Sequence, residues 1–151
     1  MNKAGEIRVI ALGLIRNGDG SANAKGERIF LSEGYDPVKQ ETFYRALGGG
    51  VEFGETSRAA LEREFQEEIQ ADLTNIKYLG CIENLFIFNG RQGHEIIQLY
   101  QCDFVDSKFY QLESLVFSES PHHKHRALWV DISRLKSGEL RLVPEVFFEY
   151  L

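Results

Sequence analysis

Cysteine, proline, tryptophan and methionine are all scarce in this chain: two, three, one and one in 151 residues. With so few cysteines a disulfide-dense scaffold is excluded. Cys81 and Cys102 lie in stretches that read as strands, and no C-x-x-C pair occurs, so a structural zinc site has no support. Two free, buried thiols are expected. Positive charge is also in short supply, with 17 Lys and Arg against 23 Asp and Glu and a formal net charge of -6. Binding along an extended nucleic acid needs Lys and Arg to displace counterions, so no such partner is expected. A small anionic substrate stays open, because a bound divalent ion inverts the local field. No apolar run approaches the length of a membrane span, and no membrane partner is expected. The opening MNKAGEIRVIALGLIRNGDG is interrupted by Arg16 and lacks a small-residue cleavage site, so it does not read as a secretory signal; the cytoplasm is the expected location.

What is present is enough for one packed domain over residues 1–151. Hydrophobic residues make up 43% and charged residues 26%, a globular balance. Apolar and β-branched residues from Ile7 to Ile15 read as a buried strand. Residues 17–26 read as a polar loop, Glu27–Ser32 as a returning strand, Gly34–Gln40 as a second loop, and Thr42–Leu47 as a strand running into Gly48-Gly49-Gly50. Ser57–Ile69 is the clearest helix, capped by Thr56 or Ser57, with Leu61, Phe65 and Ile69 on one face. Strands follow at Ile76–Ile82, Leu85–Phe88 and Glu95–Val105, with Asn89–Gly93 as a turn. Ser118–His125 reads as a polar loop, Ala127–Ile132 as a strand, and Pro144–Leu151 as a short helix with Pro144 in its first turn. Strands, a helix, further strands and a closing helix suggest an α+β sandwich.

The chemistry concentrates in GGGVEFGETSRAALEREFQEEIQA, Gly48 to Ala71. Glu64, Glu67 and Glu68 stand at i, i+3 and i+4, within one arc of about 100° on a helix. Like charges so placed cost a helix a few tenths of a kcal/mol per pair, a penalty a hard divalent cation removes. Three acids at this spacing alone would read as a solvated face. The wider pattern does not: Gly49, Glu55, Arg63, Glu64, Phe65, Glu67 and Glu68 follow G-x5-E-x7-R-E-[apolar]-x-E-E. By chance such a match arises on the order of 10⁻⁸ times per starting position.

This stretch resembles the Nudix box, and on it the chain is identified as similar to the Nudix hydrolase family (MutT-type). The resemblance implies a Nudix fold, a mixed β-sheet sandwiched between α-helices. It implies hydrolysis of a diphosphate linkage in a nucleoside diphosphate derivative: a nucleoside triphosphate, nucleotide sugar, dinucleoside polyphosphate or capped RNA end. It also implies that Glu64, Glu67 and Glu68, helped by the carbonyl of Gly48, hold Mg²⁺ or Mn²⁺. Glu64 would be the general base, Arg63 would orient it, and Glu55 would hold the network in place. One position departs from the box. Where the family has glycine, this chain has Gln70, which costs about 1 kcal/mol if the helix ends in a left-handed turn.

Outside the box, Glu95 is a candidate for an extra ligand or base, against the plainer reading of an exposed strand-end Glu; Glu119 is a second such candidate. His122, His123 and His125 could bind a transition metal but read more simply as loop residues, and His94 as a turn residue. Tyr44, Phe86, Phe88, Tyr100 and Trp129 could stack on a base and are more simply core. Arg45 could meet a phosphate, and Arg45 and Tyr44 are the expected substrate contacts. Edge strands and the apolar Val146-Phe147-Phe148 could support a homodimer. Three other readings of the whole chain are open: a non-catalytic Nudix-fold nucleotide sensor, an unrelated acidic-helix metal binder, and a diphosphate-ester isomerase. The last suffers because neither cysteine lies near the box.

Overall fold

The computed structural model describes residues 5–18 and 26–151, without the side chains of Glu119 and Ser120. The expected loop at 17–26 therefore falls mostly outside the described residues. Along the chain run β1 (Arg8–Leu14), β2 (Arg16–Asn17), β3 (Arg28–Asp36), β4 (Glu41–Arg45), β5 (Leu47–Gly50) and α1 (Ser57–Ile69). Then come β6 (Leu73–Phe88), β7 (Arg91–Phe104), α2 (Lys108–Gln111), β8 (Ser114–Ser120), β9 (His123–Asp131), α3 (Ile132–Lys136) and a 3₁₀ helix (Glu145–Tyr150).

Two sheets result. One is mixed, in the order β5-β1-β7-β6, with β1 parallel to β7 and the other pairs antiparallel. The other is antiparallel, in the order β2-β3-β9-β8, with β4 also paired to β3. A backbone bond from Phe30 N–H to the Ile15 carbonyl, 3.0 Å, links the two chain segments where the sheets adjoin. Alternation along β1 and β3 divides the buried residues between two faces. Ala11 and Phe30 join one cluster with Leu61 and Phe65 of α1. Ile10, Leu12, Ile29 and Leu31 join the other, with Leu135 of α3 and Phe147 of the 3₁₀ helix. Helices thus cover both faces, and the expected α+β architecture is present.

Several expected boundaries move, each for a reason of pairing. β3 runs through Gly34 to Asp36 because β4 pairs with it, Ser32 with Arg45 through Asp36 with Glu41. The expected loop there shrinks to a turn. The single strand expected at Thr42–Leu47 is two, since β4 pairs in one sheet and β5 in the other. The expected pair Ile76–Ile82 and Leu85–Phe88 is one strand whose register shifts between Thr74 and Lys77 and again between Tyr78 and Gly80. Asn89 (φ 52°) and Gly90 (φ 74°) alone make its hairpin turn, as a two-residue turn with both φ positive requires. His94, expected in that turn, pairs in β7 with Leu85. Most of the expected loop Ser118–His125 belongs to the β8–β9 hairpin, because cross-strand partners hold polar residues extended. Pro144 precedes the terminal helix, which is 3₁₀, and does not occupy its first turn.

Two surface expectations also change. Both cysteines are free, but only Cys102 is buried; Cys81 is exposed. Burial pushes the Cys102 thiol up to about 12. Phe147 is fully buried with Val146 and Phe148 packed beside it, so the apolar C-terminal run closes this chain's own core.

Candidate active site

Helix α1 begins at Thr56, whose Oγ1 accepts the Ala59 N–H at 3.1 Å. The other possible cap, Ser57, instead shares a 2.5 Å hydrogen bond with the Tyr100 hydroxyl. Ala60, Leu61, Phe65 and Ile69 are the helix's buried residues. At its C-terminus Gln70 takes the left-handed conformation (φ 53°, ψ 43°) and donates its N–H to the Gln66 carbonyl. The helix therefore keeps the ending a glycine would give. Gln70 adds a bond that glycine cannot, from Nε2 to the Glu67 carbonyl at 3.2 Å.

Anchoring the helix face turned to the cavity, Arg63 works as a hub. Its Nε and Nη2 bind the two oxygens of Glu55 at 3.1 and 2.6 Å. Nη2 also reaches the Gly50 carbonyl at 2.9 Å. Nη1 reaches Glu64 at 2.9 Å and Glu67 at 3.2 Å. The backbone N–H of Glu52 donates to the same Glu55 carboxylate at 3.0 Å. Bidentate, charge-assisted bonds of this kind fix orientation as well as charge. Arg63, held by Glu55 first and Glu64 next, has its pKa raised. Glu55 is held below the usual carboxylate range, chiefly by Arg63 and then by the Glu52 amide, against a smaller opposing effect of burial.

The three glycines shape what lies beside this hub. Gly48 has φ 148°, and a Cβ there would stand 1.9 Å from the Ala11 carbonyl oxygen. A Cβ on Gly49 would stand 2.4 Å from Cδ of Glu64. The carboxylate of Glu64 thus lies directly over the bare Cα of Gly49. Because β5 ends its sheet, the glycine edge places no side-chain wall between the α1 acids and the face of the sheet beyond.

That face carries a polar row. Arg8 of β1, Glu95 of β7 and Asn84 of β6 are neighbours in register. Beneath them, Ile10, Ile97 and Ile82 form an apolar row. Glu95 is only 3% exposed, so it is not a solvated strand end. It accepts from Arg45 at 3.2 Å and from Asn84 at 3.3 Å. Arg45 reaches it from β4 in the other sheet.

A cavity of about 410 Å³ spans both sides of the glycine edge. Its walls include Gly48, Gly49, Glu64, Glu67, Glu68, Glu95, Arg45, Arg8, Ser32, Phe117 and Ser118. Arg63 and Glu55 stand behind Glu64 and hold it. Tyr44 is not among the lining residues; it is buried in the second core cluster, and its hydroxyl donates to Glu33 at 2.9 Å. Trp129, which donates to the Phe109 carbonyl, and Tyr100 belong to the core, whereas Phe86 is half-buried against Gly93 and Phe88 is exposed, edge-on to Phe43. Phe117 lines the cavity instead, with the His125 ring 5.5 Å away. The side chain of Glu119 lies outside the described residues. Sequence reading overlooked Arg8, Ser32 and Phe117. For Arg8 a signal existed: it is the one charge inside the apolar run from Ile7 to Ile15.

Among the described residues no three His, Cys, Asp or Glu side chains already converge on a point that could hold a metal ion. Glu67 is turned onto Arg63, so its carboxylate must swing to join Glu64. The donor set still suits a hard divalent cation: the carboxylate oxygens of Glu64, Glu67 and Glu68 and a backbone carbonyl at Gly48, all residues of one cavity wall.

A family model described as the NUDIX domain matches residues 8–151. Among solved structures the chain is similar to a NUDIX hydrolase from Nitrosomonas europaea, at 16% identity, TM-score 0.60, covering 95% of this chain and 85% of that one. It is similar to a MutT NUDIX hydrolase from Burkholderia pseudomallei, at 22% identity and TM-score 0.53, covering 85% of each chain. It is also similar to a structure from work on MutT of Aliivibrio salmonicida and Vibrio cholerae, at 24% identity and TM-score 0.51, covering 96% and 94%. At these identities the structural likeness speaks for the fold alone. No curated protein matches the chain.

Proposed function

We propose, from the premise that this chain belongs to the NUDIX domain family and is a Nudix-type hydrolase, that it cleaves a diphosphate linkage in a nucleoside diphosphate derivative with Mg²⁺ or Mn²⁺ bound at Glu64, Glu67, Glu68 and the Gly48 carbonyl. The observation that carries this reading is the arrangement around the glycine edge. Glu64, Glu67, Glu68 and Glu95 line one cavity, and Arg63 fixes Glu64 over a residue that has no side chain to obstruct it. When bound, a divalent ion supplies neutralisation of phosphate oxygens and acidification of a water.

The chain's own groups supply the rest. Glu64, pinned through one oxygen by Arg63, keeps its other oxygen for the cavity and takes the proton of the attacking water. Glu55 keeps Arg63 in place and thereby Glu64. Glu95 is the second carboxylate on the cavity wall, and Arg45 and Asn84 hold it in place. Ser32, Ser118 and Phe117 offer polar and flat apolar contacts for the nucleoside end. A formal net charge of -6 suits a small nucleotide substrate better than an extended nucleic-acid backbone.

The test is product release from a panel of nucleoside triphosphates, nucleotide sugars and dinucleoside polyphosphates, with and without Mg²⁺ or Mn²⁺, products identified by mass. Metal-dependent turnover of at least one compound is expected. Tight nucleotide binding with no turnover of any would replace the enzyme with a sensor.

A further inference from the structure

We infer that Arg8 is the anion-binding side chain of this cavity, taking the phosphate that lies beyond the glycine edge from the α1 acids. Two arginines line the cavity, and they are in different states. Arg45 is tied to the buried carboxylate of Glu95 at 3.2 Å, so most of its charge is spent within the protein. Arg8 lines the same walls, but among the described residues none forms an ion pair or hydrogen bond with its guanidinium. Its guanidinium lies beside Gly50, where a Cβ would stand 2.9 Å from Nη2 and 3.2 Å from Nε. Any other residue at position 50 would displace it. Gly50 thus serves two guanidiniums, leaving space for Arg8 on one side and giving its carbonyl to Arg63 at 2.9 Å.

A half-buried guanidinium that lines a cavity, with no carboxylate among the described residues bound to it, is suited to an anion brought in from outside. Gly49 and Gly50 are consecutive in β5, so their bare positions face opposite sides of the sheet. Glu64 stands over the first and Arg8 over the second. A diphosphate straddling this edge would present one phosphate toward the α1 carboxylates and the other toward Arg8. The chemistry recognised is therefore a pair of linked phosphates rather than one, and Arg8 is what makes the second count. Arg45, which sequence reading assigned to the phosphate, is on this geometry a positioning residue for Glu95.

This rests on the diphosphate reading above for its ligand but not on turnover. The experiment measures binding of inorganic pyrophosphate and of inorganic phosphate, each with Mg²⁺, by calorimetry to the intact chain. The expected result is that the wild type prefers pyrophosphate, that Arg8→Ala weakens pyrophosphate at least about tenfold while phosphate changes little, and that Arg8→Lys recovers part of the loss. Melting temperatures within a few degrees of wild type confirm that the variants fold. Pyrophosphate binding equal in wild type and Arg8→Ala, no binding by wild type, or equal weakening of both probes would each overturn the assignment. Absence of turnover with Arg8-dependent pyrophosphate binding would sink the hydrolase reading and leave this one standing.

Discussion

At the scale of single residues, the site is a problem of charge. Three carboxylates share one cavity edge, and Arg63 is the cation placed among them. Glu67→Gln or Glu68→Gln should lower turnover by at least about a hundredfold, because a neutral amide oxygen holds a hard cation more weakly than an anionic carboxylate. Folding should be unchanged or slightly improved, since repulsion falls. Near-normal rates in either variant would rule out those residues as ligands. Arg63→Ala should cut activity roughly 10–100-fold, as loss of a group that orients a ligand does, with a smaller effect on stability of about 1–2 kcal/mol. An unfolded Arg63→Ala protein would show its role to be structural. The same pair sets an acid limit. Glu55 has its pKa lowered in the folded chain, first by Arg63 and then by the Glu52 amide. Its contribution to stability is therefore complete above the unfolded value and disappears as pH falls through the folded one. Urea unfolding across acidic pH should show that loss on the acid side of the ordinary carboxylate range. In Arg63→Ala the slope should flatten, and an unchanged slope would assign the effect to other carboxylates.

At the scale of elements, the glycine edge and the helix exit decide how well those charges are presented. Gly48 and Gly49 differ in what a methyl group would strike. At Gly48 it meets the fixed backbone of β1 at 1.9 Å, with φ already at 148°, so Gly48→Ala should cost at least about 3 kcal/mol. At Gly49 it meets the end of a flexible side chain, Glu64. Gly49→Ala should therefore stay folded and lose activity, because Glu64 must move from its place beside Arg63. Thermal melts and rates on both variants separate the two; equal stability losses would mean Glu64 cannot yield. Gln70→Gly relaxes a strained left-handed residue and gives up only an exposed side-chain bond, for a net gain of roughly 0.5–1 kcal/mol. A lower melting temperature would mean that the Gln70 amide on the Glu67 carbonyl outweighs the strain. Much at this scale was legible in the sequence, because it is local: α1 from Ser57 to Ile69, its apolar stripe, and the cost at Gln70 all follow from neighbours within one turn. The strands were less so. Glu83 and Asn84 interrupt the apolar run, and sequence reading breaks β6 there, yet β7 pairs through both. Ser118 to His125 looked like a loop because its composition is polar, and only the partner strand keeps it extended.

At the scale of the whole molecule, the cavity exists because distant segments meet, which is why half of it was hidden from the sequence. Arg8, Asn84 and Glu95 become one row only through the registers of β1, β7 and β6. Arg45 reaches Glu95 only because β4 and β5 pair in different sheets. Asp36 helps hold this arrangement: its buried carboxylate accepts N–H groups of Val38 and Lys39 in its own turn and of Asn89 across the β6–β7 hairpin. A fold that brings four carboxylates to one cavity carries a self-repulsion that a divalent cation relieves, and binding to the folded state alone must stabilise it. Mg²⁺ at about ten times its dissociation constant should add about 1.4 kcal/mol, which for a chain of this size raises the melting temperature by roughly 3–5 °C. The comparison is made against NaCl at equal ionic strength, so that general screening is matched. Glu67→Gln should lose most of the increment, whereas Tyr44→Phe, which alters only the bond to Glu33, should keep it. If NaCl gives the same rise as Mg²⁺, or if Glu67→Gln keeps the full increment, the cavity's acids do not gather a divalent ion, and Arg63 on Glu64 and Glu67 and Arg45 on Glu95 are what offset their charge.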